Sequence, residues 1–507
     1  MLFKIACAAL HGIEAYRVDV EVDVSLGLPH FVIVGLPDAS VRESKERVRA
    51  ALNNCGWELP ARKITVNLAP ADRRKEGSSF DLPICLGVLA SLGVCPGERL
   101  SDFLFLAEVA LDGRLKPVRG ALASALLAKR QGQAGIVVPR ANEKEAALVA
   151  GFPVFGLEDL GQVIGLLNNP GSVAPSALEP EDLLQPAVYD ADFREVKGQP
   201  HVKRALEVAA AGGHNILMIG PPGAGKTMLA RCLPSILPGP TLEEVLEMTK
   251  IYSVAGLLPD GGTVGVRPFR SPHHTVTDAG LVGGGVKPRP GEVSLAHCGV
   301  LFLDELPEFR RSVLEDLRQP LEEGRVTVSR LALSTTYPCA FTLVAAMNPC
   351  GDVFHGAGRS EDDCTDGQRS RYYSKISGPL LDRIDIQIDV PAVKFKDIIS
   401  KSEGESSDDI RRRVCRARAR QAQRFPDRLP ATNGRMTPRE VKRLCPVCAE
   451  SEKLLDLAVT KLGFSARAYD RVLKVARTCA DLADEDLIRP VHVSEAIQYR
   501  MMDKYYP

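Results

Sequence analysis

Asn215-Ile-Leu-Met-Ile-Gly220-Pro-Pro-Gly-Ala-Gly-Lys226-Thr227-Met-Leu-Ala-Arg-Cys232 decides the fold. An apolar strand, Asn215–Ile219, runs into a glycine-rich turn that opens a helix from Met228, and the turn fits G-x-x-x-x-G-K-[ST]. In that context Gly220, Pro221, Pro222, Gly223, Ala224 and Gly225 turn backbone N–H groups toward phosphate oxygens at a helix N-terminus. Lys226 is expected to reach the β- and γ-phosphates of a nucleotide, and Thr227 to ligate Mg²⁺.

Downstream, Val300-Leu-Phe-Leu-Asp304-Glu305 reads as a buried strand ending in two acids. At the carboxyl end of a parallel strand such acids face the ligand. Asp304 suits the magnesium shell, and Glu305 suits orienting and deprotonating water. A third strand, Phe341-Thr-Leu-Val-Ala-Ala346, leads to Asn348, whose amide can hydrogen-bond the γ-phosphate or the lytic water; a turn-forming Asn-Pro is the other reading. Arg383, in Leu380-Leu-Asp-Arg-Ile-Asp385, is a candidate arginine finger for a neighbouring subunit. Arg467, in Phe464-Ser-Ala-Arg-Ala-Tyr469, is a candidate sensor-2 arginine of a helical lid. For either alone, a surface salt bridge is the competing reading.

The chain has 507 residues, 45% hydrophobic and 25% charged, which suits roughly two to four soluble domains. Formal net charge is +0, so attraction to nucleic acid or acidic membranes would come from local patches. The 13 cysteines lie without paired spacing, as expected of reduced thiols in a cytoplasm. After Lys4 the apolar run is short for an export leader, and it passes into the alternating strand Tyr16–Val24. No stretch reaches the ~20 apolar residues of a membrane span.

Residues 1–168 read as mixed α/β. Val18, Val20, Val22 and Val24 alternate with acids as a half-buried strand, Ile64–Leu68 is another, and 39–53 and 119–130 have helical spacing. A Pro-, Ser- and acid-rich linker follows at 169–188. The nucleotide core is expected over 189–395. A polar break at Ser400–Asp409 falls within 396–507, a helical segment with helices at Ala449–Leu462, Ala466–Leu482 and Val493–Tyr499.

Several longer blocks add to these motifs. They include Gly35-Leu-Pro-Asp38, Val41-Arg-Glu-Ser44, Asn67-Leu-Ala-Pro-Ala-Asp72 and Lys75-Glu-Gly-Ser-Ser-Phe-Asp-Leu-Pro83. In the core stand Arg267-Pro-Phe-Arg-Ser-Pro-His-His-Thr275, Pro288-Arg-Pro-Gly291, Leu303-Asp-Glu-Leu-Pro-Glu-Phe309 and Ser377–Asp385. In this order, over nearly the whole chain, they resemble the YifB/ComM family of magnesium-chelatase-like AAA+ proteins. The resemblance implies a Lon-protease-like (ribosomal S5 domain 2-like) N-terminal α/β domain, a P-loop AAA+ core with a parallel sheet, and a C-terminal helical lid. It also implies a hexameric ring that uses ATP and Mg²⁺ for branch migration of DNA. The core is similar to that of replicative MCM helicases as well, whose hairpin before sensor 1 carries a basic residue into the DNA channel. Here the hairpin would be Gly324–Pro338, with Arg325 and Arg330 as DNA candidates.

Two departures from the family pattern matter. Lys75–Ser79 occupies the place of Lon's serine loop, but the position aligned with the catalytic lysine is Leu122, so proteolysis is not expected. Of the family's cysteine pairs only Cys350 and Cys364 remain, near His355 and Asp366, a poor donor set for structural zinc. Cys445-Pro-Val-Cys448 is an isolated pair.

DNA binding is expected to rest on backbone contacts without sequence preference. Residues 411–424 hold seven arginines and no acid. They read equally as a phosphate-neutralising stripe and as a solvated or interface face paired with acids such as Asp408 and Asp409. Arg369, Arg371 and Lys375 are further candidates. A chelatase-like or protein-remodelling ATPase that does not act on DNA is the alternative.

Overall fold

The computed structural model describes residues 1–179, 189–259, 262–285, 288–330, 333–355, 364–393, 396, 404–462 and 464–500, without the side chains of Arg330, Leu333, Phe354, His355 and Leu462. Residues 180–188 of the expected linker, 331–332 at the tip of the hairpin, the His355 side chain and residues 400–403 of the Ser400–Asp409 break therefore lie outside the described residues. Two compact units emerge: Met1–Gln185 with Val245–Gly265, and Pro186–Glu244 with Val266–Pro507. Val245–Gly265 thus groups with the first unit, although the core was expected to run unbroken from 189 to 395. The C-terminal helices group with the core.

The first unit is built on β1 (Leu2–His11), β2 (Glu14–Ser25), β3 (His30–Val34), β4 (Lys63–Ala69) and β5 (Phe103–Phe105), then a ribbon of β6 (Glu108–Val109) and β7 (Leu115–Lys116), then β8 (Gly135–Pro139) and β9 (Val154–Leu157). Seven of these form one mixed sheet in the order β3-β4-β2-β1-β5-β8-β9. The alternation read at Val18–Val24 is its cause: all four valines are buried, while Asp19, Glu21 and Asp23 stay partly exposed. Helices Asp81–Ser91 and Ala121–Arg130 pack on β1 and β2. The first is buried along almost its entire length, so its sequence shows no polar face. Its one charge, Asp81, accepts two hydrogen bonds from Arg47 at 2.7 and 2.9 Å and one from the Val109 N–H at 3.3 Å.

The second unit holds β10 (Ile216–Ile219), β11 (Phe269–Arg270), a ribbon of β12 (Gly283–Gly284) and β13 (Arg289–Pro290), β14 (Val300–Leu303), the hairpin β15 (Arg325–Arg330) and β16 (Leu333–Pro338), β17 (Thr342–Met347) and β18 (Ile386–Asp389). Five of them make an all-parallel sheet in the order β11-β14-β17-β10-β18. Strands β10, β14 and β17 are continuous buried apolar runs, as parallel strands covered on both faces must be. One hydrophobic cluster joins this sheet to helices Pro200–Gly212, Lys226–Ile236, Ser407–Arg424, Ala466–Leu482 and Pro490–Gln498. The order places β17 between β10 and β14, which brings the ends of the three chemistry-bearing strands side by side.

Candidate nucleotide site

The glycine-rich turn leaves β10 at Gly220, where a Cβ would stand 2.1 Å from the Val390 carbonyl oxygen, so only glycine fits. Gly223 and Gly225 take φ of +79° and +88°, the left-handed region that favours glycine. Gly225 precedes helix Lys226–Ile236 without a side-chain cap, which leaves the first-turn N–H groups directed at a ligand. The Lys226 side chain folds back over the turn. Its ammonium donates to the Gly220 carbonyl at 2.6 Å, the Pro221 carbonyl at 3.0 Å and Asn348 Oδ1 at 3.0 Å. Burial lowers its pKa while Asp304 opposes that shift.

Thr227 Oγ1 donates to Asp304 Oδ2 at 2.8 Å, joining the helix start to the end of β14. A hydroxyl and a carboxylate in contact form a hard-oxygen pair of the kind Mg²⁺ takes. Asp304 Oδ1 also accepts the Glu305 N–H at 3.0 Å. Glu305 itself has φ +53°, an uncommon conformation for a glutamate that costs on the order of 1–3 kcal/mol and concentrates at functional sites. Four of the expected residues therefore form two hydrogen-bonded pairs, Lys226 with Asn348 and Thr227 with Asp304.

Two side chains join them that motif reasoning does not reach. His274 Nδ1 lies 3.5 Å from Glu305 Oε2, and the Tyr372 hydroxyl donates to the Asn348 carbonyl at 2.9 Å. The available signal for the first was the His273-His274 pair, whose rings lie 4.0 Å apart. Tyr372 carried none.

The two candidate arginines fall elsewhere in the unit. Arg383 pairs with Glu322 and donates to the Pro379 carbonyl, while its Nε has no partner among the described residues. Burial lowers its pKa, and Arg318, Arg471 and Arg467 push the same way. Arg467 is exposed and reaches Asp382 Oδ2 at 3.4 Å. Neither hydrogen-bonds Lys226, Thr227, Asp304 or Asn348 among the described residues.

In the hairpin, β15 and β16 pair from Arg325↔Pro338 to Arg330↔Leu333. One face is polar: Arg325 is exposed, and Thr327–Thr336 and Ser329–Ser334 bond across the strands at 3.0 and 3.1 Å. The other buries Val326, Val328 and Tyr337, whose hydroxyl donates to the Pro288 carbonyl at 2.9 Å. By contrast, the arginine-rich segment forms helix Ser407–Arg424, and its guanidiniums are mostly occupied within the unit. Arg411 pairs with Asp408 and Arg412 with Asp409. Arg413 pairs with Glu207 and Glu405, Arg420 with Asp484 and Asp486, and Arg424 with Asp481. Arg418 donates to the Ala210 carbonyl. Of the two readings of this stripe, the structural one accounts for six of its seven arginines.

Cys350 and Cys364 are buried thiols that face each other. Asp366 is fully exposed. In the first unit the Lys75 ammonium, lowered in pKa by burial, donates to the Pro70 carbonyl, not to a serine hydroxyl. Leu122 is a buried residue of helix Ala121–Arg130. Among the described residues no helix is long and apolar enough to cross a membrane.

The family described as "Magnesium chelatase, subunit ChlI" matches residues 192–398. "Subunit ChlI of Mg-chelatase" matches 20–142, and the C-terminal family of the same subunit matches 404–500. The chain is 43% identical to the uncharacterized protein YifB of Escherichia coli (strain K12) over 495 residues, 97% of this chain and 96% of that one. It is 41% identical over 497 residues to the competence protein ComM of Haemophilus influenzae, again 97% and 96% of the two chains. A 29% match over 171 residues to the magnesium-chelatase 67 kDa subunit of Chlorobaculum parvum covers 32% of this chain and 24% of that one. Near-complete coverage at this identity, on a parallel sheet carrying a P-loop and an Asp-Glu strand end, means that the chain belongs to the YifB/ComM family of magnesium-chelatase-like AAA+ proteins.

Proposed function

We propose that the protein is an ATP-hydrolysing ring motor that moves DNA, and that branch migration of recombination intermediates is its task. The observation that carries the ATPase part is the bonded set Lys226–Asn348 and Thr227–Asp304 at the carboxyl ends of adjacent parallel strands. Lys226 holds the phosphates, and Asn348 ties its ammonium to the position of the lytic water. Thr227 and Asp304 would hold Mg²⁺, which when bound neutralises charge on the phosphate oxygens. Glu305 takes the proton of the attacking water, and the nearby His274 orients that carboxylate.

Arg383 and Arg467 support assembly into a ring. They lie near each other and near Arg318 and Arg471, and each of the four is paired with an acid. Neither is bonded, among the described residues, to its own chain's phosphate-site residues. A neighbour's γ-phosphate is the partner this reading gives them.

DNA as the client rests on the β15–β16 hairpin, with its polar face and exposed Arg325, and on the competence role in the name of the Haemophilus relative. The arginine helix adds nothing to it. The chelatase relatives keep a metal-insertion or remodelling client in view, yet they match a third of the chain, against nearly all of it for ComM. Dissociation of a labelled four-way junction in ATP tests the reading. The parent should convert the junction to duplex arms, and Arg325→Ala should slow it several-fold. Unchanged junctions, under conditions where the protein turns over ATP, would refute branch migration.

A further inference from the structure

A small cavity lies at the opposite edge of the ATPase sheet from the P-loop. Gly299 and Thr342, which line it, stand immediately before and at the amino ends of β14 and β17. Three arginines line it as well: Arg267 ahead of β11, Arg418 from helix Ser407–Arg424, and Arg435 from the turn Asn433–Arg435. Its volume of about 20 Å³ exceeds the about 10–15 Å³ that one water requires.

Only one of the three guanidiniums, that of Arg267, has a bonded carboxylate among the described residues. Arg267 is satisfied: Glu244 takes it at 2.7 and 3.1 Å, and the carbonyls of Pro238 and Cys298 take it at 2.6 and 2.7 Å. Among the described residues Arg418 hydrogen-bonds no carboxylate; its Nε and Nη2 share the Ala210 carbonyl at 3.0 and 2.7 Å, and Glu244 acts on it only from a distance. The Arg435 guanidinium donates no hydrogen bond among the described residues. Burial, reinforced by the charge of Arg267, pushes Arg418 down to about 9. Burial also lowers Arg435, though the thiols of Cys298 and Cys339 oppose the shift. Both guanidiniums are half-buried, so pairing with an anion offsets part of their desolvation through charge-assisted, forked hydrogen bonds.

We propose that this cavity binds one phosphate-sized tetrahedral oxyanion on Arg418 and Arg435. Both arginines belong to the C-terminal helical segment, whereas Gly299 and Thr342 belong to the core, so the anion tightens one onto the other. The Arg435 guanidinium also lies against Gly324, at the foot of the β15–β16 hairpin, where an added Cβ would meet its Nη1 at 2.6 Å. Occupancy therefore steadies the base of the proposed DNA hairpin. The site is separate from the P-loop, and its existence does not depend on what the ATPase acts on.

The test is the thermal unfolding midpoint in inorganic phosphate against sodium chloride at matched ionic strength. It is run in Lys226→Ala, where phosphate binding at the P-loop is removed. Phosphate at about 100 times its Kd should raise the midpoint by about 3–6 °C in that background. Adding Arg435→Ala should abolish the increment. Should that variant not fold, Arg435→Lys, which keeps a charge and loses the fork, should broaden the ³¹P signal of free phosphate much less than its parent does. An equal increment or equal broadening with Arg435 changed, or no increment in Lys226→Ala, would overturn the proposal.

Discussion

Lys226 and Glu305 act on different sides of hydrolysis in the proposed site, and substitution should separate them. Removing the Lys226 ammonium takes away the group that joins the Gly220 and Pro221 carbonyls to Asn348. Lys226→Ala should therefore lose nucleotide binding in a fluorescent-nucleotide titration. Glu305→Gln preserves shape and the backbone bond to Asp304 but cannot accept a proton. It should bind nucleotide normally while phosphate release falls about 10²-fold or more. Full turnover by Glu305→Gln would assign the base elsewhere. These residues were legible because each stands at a fixed offset within a local strand-turn pattern. His274 and Tyr372 were not, since they reach the site from loops and helices whose sequence carries no comparable periodicity. Arg383 and Arg467 were legible as candidates, but sequence alone could not show that Arg383 pairs with Glu322 and Arg467 with Asp382.

Among the elements, a buried polar network ties the core sheet to the C-terminal helices. The His214 ring, just ahead of β10, meets Asp385 Oδ2 at 3.2 Å and Thr478 Oγ1 at 2.8 Å. Arg471 of helix Ala466–Leu482 donates to Asp385 Oδ1 at 2.7 Å. Burial alone would raise the Asp385 carboxyl; Arg471 and His214 instead hold it well below the usual carboxylate range. A depressed carboxylate contributes stability that is complete above its unfolded pKa of about 3.9 and is lost as pH falls through the folded value. Asp385→Ala leaves the half-buried Arg471 and the buried His214 without this carboxylate, which should cost about 3 kcal/mol. It should also flatten the acid limb of the stability curve below pH ~4 in urea titrations. A parent-like acid limb in the variant would remove Asp385 from that role.

This network explains a limit of the sequence reading. The helices at Ala449–Leu462 and Ala466–Leu482 follow from period and composition, and the structure has both. Their partners lie far off along the chain. The same holds for helix Ser407–Arg424, where composition shows the charge but not that Glu207 and Asp481 neutralise it. Nor does composition mark Asp81–Ser91, a helix without a polar face.

At the scale of the molecule, the fold class followed from alternation in the first unit and from continuous apolar runs in the second. The grouping of Val245–Gly265 with the first unit was not legible, because Val245 falls inside helix Leu242–Ala255 and the Pro238-Gly239-Pro240 break precedes that helix. The central claim joins an ATP site to a DNA client in one assembly, and both parts enter a single observable. ATP turnover by the purified protein should be measured with and without single-stranded and four-way-junction DNA, with Lys226→Ala as the blank. Several-fold stimulation by DNA, lost at high salt and reduced in Arg330→Ala, is the predicted result. Robust turnover indifferent to every DNA would contradict the account and point to a protein or porphyrin client.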